Sequence, residues 1–147
     1  MYKTILVTLD GTKTDRAIIE HVKPLARLAH SRVVLLHVAD GWAARTYGPD
    51  AVSPEIRDDT AYLKKVQSEF QTAGIEAEAE LAYGVPANEI VKWVKRKGCD
   101  LVAMSTHGHR FLADFSWARP PIACNTASAC RFFCCGRNRL AFRGFLL

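Results

Sequence analysis

The chain has 147 residues, 49% of them apolar and 24% charged, which is one folded domain's worth and excludes wholesale disorder. No run of 18 apolar residues occurs, so no membrane-spanning helix is expected. The net charge of +5 is local: residues 115–147 hold five Arg (Arg119, Arg131, Arg137, Arg139, Arg143) and no Lys, Asp or Glu, leaving residues 1–114 with 15 cations and 15 acidic side chains. That division predicts a neutral body, 1–114, and a basic tail, 115–147, that also carries four of the five Cys and five of the seven Phe.

The body opens on Lys-Thr-Ile-Leu-Val-Thr-Leu (3–9), an apolar, β-branched run that reads as a buried strand. No leader-like segment precedes it, which points to the cytoplasm. Asp10-Gly11-Thr12 is a turn, Thr14 an N-cap candidate, and Asp15 lies where a negative charge suits a helix dipole. Ile18, Val22, Leu25 and Ala29 recur at helical spacing, with Pro24 expected to bend that helix. Arg32–Val38 is a second strand. Residues 40–55, with Gly41, Gly48, Pro49 and Pro54, read as a long loop. Tyr62, Val66, Phe70 and Ala73 predict a second helix, closed by Gly74. Ile75, Ala77, Ala79 and Leu81 alternate with Glu76, Glu78 and Glu80, the pattern of an edge strand with one wet face. Pro86, Ile90, Val91 and Val94 predict a third helix, closed by Gly98. Asp100–Met104 is a fourth strand.

This order of elements implies a Rossmann-like α/β fold, a parallel sheet with right-handed crossovers and helices on both faces. In such sheets ligands meet the carboxyl ends of strands where the strand order reverses, here Asp10-Gly11 and Ser105-Thr106-His107-Gly108. Asp10 can accept hydrogen bonds from an adenine amino group or a ribose hydroxyl, but the more ordinary role is a turn residue bonding its own downstream amides. The amides of 105–108 can hold a phosphate if a helix starts there. His107 and His109 read as polar loop residues rather than metal ligands, since no third ligand is near in sequence. Trp93 and Met104 read as packing, and Cys99 as a small buried hydrophobe. No G-x-S-x-G, G-x-x-x-x-G-K-[ST] or H-E-x-x-H pattern occurs, which argues against an enzyme.

The opening KTILVTLDGTKTDRAIIEHV and the block GVPANEIVKWVKRKGCDLVAMSTHGH together resemble the universal stress protein (UspA) family over residues 2 to about 114. The resemblance implies a universal stress protein/adenine nucleotide alpha hydrolase-like sheet of order 3-2-1-4-5, in a family that contains both ATP binders and non-binders. Binders carry G-x2-G-x9-G-[ST] after the fourth strand and an Asp after the first. Asp10 matches, Val38 stands where backbone meets adenine, and Gly108 matches the second Gly. Ser105 replaces the first Gly, and Ala118-Arg119 stands where the third is due. The positions a nucleotide would meet are therefore Asp10, Gly11, Val38, Met104, Ser105, Gly108 and His109, with no catalytic and no metal residue expected. The main expectation is a non-catalytic stress-response or signalling protein without a cofactor, and the alternative is an ATP-binding member.

The tail reads FSWARPPIACNTASACRFFCCGRNRLAFRGFLL where the family continues with a helix and a Pro-Val-Leu-Leu-type fifth strand. It has neither helical nor alternating periodicity, so the fifth strand is expected to be missing or replaced, the fourth strand to become an edge unless tail residues pair with it, and the family's homodimer through the last strand to be weakened. Its Cys spacing fits no ordinary zinc finger, and disulfides do not suit a cytosolic protein. Interleaved Arg and Phe offer a nucleic-acid or membrane-surface alternative, ranked low because the body's charge sums to zero. Read one base earlier, the Trp117-Ala118 junction encodes Gly, and the Phe133-Cys134 and Cys134-Cys135 junctions each encode Leu. A displaced reading frame would thus restore a Gly-Thr-type step and a Leu-Leu strand.

Overall fold

The computed structural model describes residues 2–50, 53–105, 131–136 and 139–143. In chain order the elements are β1 (Thr4–Leu9), α1 (Asp15–Ala29), β2 (Arg32–Ala39), α2 (Trp42–Tyr47), α3 (Pro54–Thr72), β3 (Ala77–Tyr83), α4 (Pro86–Lys97), β4 (Leu101–Ser105), β5 (Arg131–Gly136) and β6 (Arg139–Arg143). One sheet runs β3-β2-β1-β4-β5-β6. Every neighbouring pair is parallel except β5–β6, which is antiparallel.

β1 and β2 are nearly continuous apolar runs because both their faces are covered. Ile5, Val7, Leu9, Val33, Leu35, Leu101 and Ala103 point to one face, where Ile18 and Val22 of α1 and Leu63, Val66 and Phe70 of α3 close over them. Leu6, Val34, Leu36, Val38, Val102 and Met104 point to the other, under Ile90, Trp93 and Val94 of α4. The alternation is the pleat itself: successive side chains leave a strand on opposite sides.

Local chemistry sets the helix ends. α1 runs on through Pro24, giving up one backbone donor rather than breaking. α3 starts on Pro54 behind Ser53, whose hydroxyl accepts the Ile56 amide at 3.2 Å, an N-cap pairing that satisfies an orphan donor. α4 likewise starts on Pro86 and ends at Gly98, whose φ of 62° is a left-handed cap that suits glycine.

Three expectations change. Residues 40–55 are not simply a loop: α2 and a 3-10 turn, Gly48–Asp50, lie within them, and α3 begins before they end. Glycine and proline at 41, 48, 49 and 54 punctuate short helices here instead of excluding them. Thr14 occupies the N-cap position but makes no side-chain cap bond, because its hydroxyl pairs with that of Thr12. Of the two outcomes expected for the fifth strand, it is replaced rather than missing. Arg131–Gly136 pairs parallel with β4 from Leu101↔Arg131 to Ser105↔Cys135, so β4 is an interior strand, and β6 lies on the far side of β5. The sequence of this strand is unrelated to a Pro-Val-Leu-Leu run, but Phe132-Phe133-Cys134-Cys135 is aromatic and apolar enough to suit a pleated strand. An open β4 edge leaves backbone donors and acceptors that such a strand satisfies.

The edge expected at β3 is there, with one refinement. Glu78 and Glu80 sit opposite Val34 and Leu36, which places them on the α4 side. They are partly covered and paired rather than wet: Lys97 reaches Glu78 at 2.6 Å and Glu80 at 3.0 Å, and Arg32 reaches Glu78 at 3.3 Å.

Candidate functional site

The connections through α1 and α3 cover one face and the connection through α4 covers the other, so the chain changes sides between β1 and β4. Their registers, Leu9↔His37 and Val7↔Ala103, bring the carboxyl ends of β2, β1 and β4 side by side at that reversal. Asp10 and Gly11 follow β1, Val38 lies near the end of β2, and Met104 and Ser105 end β4. The structure therefore gathers five of the predicted positions at one end of the sheet. Gly108 and His109 lie outside the described residues. Val38 and Met104 are themselves buried, 4% and 7% exposed, in the α4-side core, so a ligand there would meet their backbone more than their side chains.

Asp10 adopts the turn role. Its Oδ1 accepts the Thr12 amide at 3.0 Å and the Thr12 hydroxyl at 2.6 Å. Gly11 takes φ of 77°, a conformation open to glycine at no cost. Burial alone would raise the Asp10 carboxyl, but the Thr12 hydroxyl, the neighbouring Asp15 carboxyl and the Thr12 amide together hold it below the usual carboxylate range.

Asp15 completes the turn from the other side. Only 1% exposed, its carboxyl accepts the Asp10 amide at 3.1 and 3.2 Å, the Gly11 amide at 2.9 Å and the Tyr62 hydroxyl at 2.8 Å. One side chain thus ties the tip of β1 to α1 and α3. Burial, reinforced by Asp10, lifts the Asp15 carboxyl to about 7 despite the donors. Burial and the bond to Asp15 push the Tyr62 phenol up in turn. Beside this knot, His37 Nδ1 donates to the Leu9 carbonyl at 2.8 Å, while Nε2 faces Asp59 Oδ2 at 3.2 Å.

Sequence reasoning placed Asp15 only as a dipole partner and missed its carboxyl as the anchor of the turn. It read Tyr62 as part of an apolar stripe and His37 as strand filling. An acidic residue five places after Asp10 is a visible signal, but nothing local announces that α3 brings Tyr62 and Asp59 to it. Among the described residues no three His, Cys, Asp or Glu side chains gather as a metal site would need.

The fold and its strand-tip crevice define a Rossmann-like α/β domain. A model of the universal stress protein family matches residues 1–122, and the chain belongs to that family. It is similar to the universal stress protein MJ0577 of Methanocaldococcus jannaschii, 26% identical over 127 residues that cover 74% of this chain and 78% of the relative. The solved structure of MJ0577 superposes with a TM-score of 0.61 at 27% identity, covering 74% of this chain and 77% of that one. A universal stress protein from Archaeoglobus fulgidus in complex with dAMP shares the fold, with a TM-score of 0.62, 18% identity and coverage of 77% and 88%.

Proposed function

We propose that this chain is a cytoplasmic stress-response or signalling domain that acts by association rather than by catalysis and that holds no nucleotide at its strand tips. The observation that carries this reading is the self-satisfied β1 turn. Asp10 spends Oδ1 on Thr12, and Asp15 takes the amides of Asp10 and Gly11, so a ligand would have to displace internal hydrogen bonds to use those groups. Ser105 adds a Cβ where the binder pattern has glycine. Titration of the full chain with labelled ATP and Mg²⁺ tests it: no saturable signal is expected, and saturation at micromolar ATP overturns it.

The second reading is an ATP-binding member, with Asp10, Gly11, Val38, Met104, Ser105, Gly108 and His109 as the contacting positions. It is supported by the dAMP held by the related Archaeoglobus protein. A homodimer through the last strand is weakened in either case, because β6 already pairs with the outer edge of β5. No described helix is long and apolar enough to cross a membrane, and the neutral body gives nucleic acid little to hold. We further propose that 1–114 is the universal stress protein-like domain and that 115–147 is a non-family tail read from a displaced frame, of which Arg131–Gly136 nevertheless pairs with β4. Resequencing codons 111–117 decides that point, since an uninterrupted frame without displaced homology overturns it.

A further inference from the structure

Asp15 is buried, and among the described residues no ion pair reaches it or its neighbour Asp10. The two carboxyls are hydrogen-bonded to each other. Two carboxylates in contact, with no cation between them, cannot both ionise without a large cost, so the pair retains a proton. The other donors fix where it sits. Asp15 Oδ2 accepts the Asp10 amide at 3.1 Å, the Gly11 amide at 2.9 Å and the Tyr62 hydroxyl at 2.8 Å, whereas Oδ1 has only the Asp10 amide at 3.2 Å. Oδ1 is therefore the oxygen left to carry the proton and to donate a hydrogen bond to Asp10.

The charged groups on the surrounding elements do not offset the pair. His37 of β2 is bonded to the Leu9 carbonyl and to Asp59 of α3. Arg16 of α1 is bonded to Glu69 of α3 at 2.7 Å. Lys13 of the turn and Lys65 of α3 are exposed, and β4, Leu101–Ser105, carries no ionisable side chain. The two carboxyls also differ in freedom. Asp15 is buried within α1, but Gly11 and Thr12 are exposed, and the space beside Gly11 is open. When the proton leaves, the part that can move is the turn that carries Asp10.

We propose that Asp10 and Asp15 form a proton-operated latch on the β1 turn. With the proton in place, Asp10 is held against Asp15 and Thr12. Once the proton has gone to solvent, repulsion swings the Asp10 carboxylate out toward the strand tips, while the amides of Asp10 and Gly11 stay on the ionised Asp15. The latch stands whether or not a nucleotide occupies the strand tips. NMR of the full chain, following carboxyl carbons and backbone amides between about pH 5 and 9, tests it. The Asp15 carboxyl carbon is expected to titrate at about 7. Two amide protons are expected to move in opposite directions at the same midpoint. Thr12, which donates to Asp10 Oδ1, moves upfield as that bond is lost, and Gly11, which donates to Asp15, moves downfield on a charged acceptor. In Asp15→Asn both steps are expected to vanish, and in Asp10→Asn the Asp15 midpoint is expected to fall by roughly one unit or more. An imidazole ordinarily titrates in the same range, so His37→Gln is the control, and both steps are expected to remain in it. The latch is overturned if the Asp15 carbon does not titrate in this range or if the two amides ignore pH, results read on the unaltered chain. It is overturned equally by steps that survive in Asp15→Asn or disappear in His37→Gln.

Discussion

The two faces of the sheet are built on different terms. On the α1/α3 face a deep apolar core, centred on Phe70, ends at the strand tips in a buried carboxyl, Asp15, with Tyr62 closing over it. On the α4 face the core of Ile90, Trp93 and Val94 contains no buried charge among the described residues, and ionic groups stand at its rim, where Lys97 bridges Glu78 and Glu80. Burying an acid costs stability unless donors satisfy it, whereas a rim pair stays partly hydrated and costs little. Among the described residues, polar chemistry thus reaches into the core on the α1/α3 side, the side that also fixes the β1 turn.

Perturbing each face measures this contrast. Phe70→Ala removes the largest fully buried side chain and is expected to cost about 3–5 kcal/mol in denaturant unfolding. The conservative Ile90→Val under α4 is expected to cost only about 0.5–1.5 kcal/mol; an equal loss from both would erase the size difference assumed between a cavity and a trimmed methyl. Tyr62→Phe keeps the packing but withdraws a hydroxyl from the buried Asp15 carboxyl, for about 1–3 kcal/mol. A loss near zero would mean that water replaces the phenol.

The pH dependence of that face has a definite sign. Asp15 sits at about 7 in the folded protein against 3.8 for the free side chain, so the folded state holds the proton more tightly. Its contribution to stability is fully present below about pH 4 and is lost as pH rises toward and through about 7. Asp15→Asn is expected to flatten that part of the stability profile, read from unfolding midpoints between pH 4 and 8. An unchanged slope would assign the dependence to other groups.

How much of this was legible in the sequence follows from the range of each interaction. β1, β2 and α4 are written locally, as β-branched runs and as a Pro86-to-Gly98 frame around apolar residues at helical spacing, and these signals survive folding because neighbours in sequence are neighbours in space. Asp10 was legible as a turn residue for the same reason, since its partner Thr12 is two residues away. Asp15 with Tyr62, and His37 with Asp59, were not, because α3 supplies one partner of each pair and no periodicity encodes which helical residue meets which tip. β5 was missed for another reason. Arg131–Gly136 shows neither helical nor alternating periodicity, and its partner β4 lies far back in the chain, so no local pattern separates it from arbitrary sequence.

The smallest expected effect lies at the α4 rim. Lys97 sits 5.6 Å from the Trp93 ring centre and spans two carboxylates on the edge strand, with its side chain 21% exposed. The hydrogen bonds it donates to Glu78 and Glu80 hold its ammonium above the ordinary lysine value. Replacing it by Met keeps much of the apolar stem over Trp93 but leaves Glu78 and Glu80, two residues apart on one strand, without their common cation. The loss is expected to be about 0.2–1 kcal/mol, as for other partly exposed pairs, and to shrink in 1 M salt, where the screening length falls to about 3 Å. Neutralising Glu80 as well, in Lys97→Met/Glu80→Gln, is expected to recover part of it, because Arg32 still holds Glu78. If the single variant instead cost as much as Tyr62→Phe and ignored salt, Lys97 would belong to the core, and the contrast between a polar interior on one face and a polar rim on the other would fail.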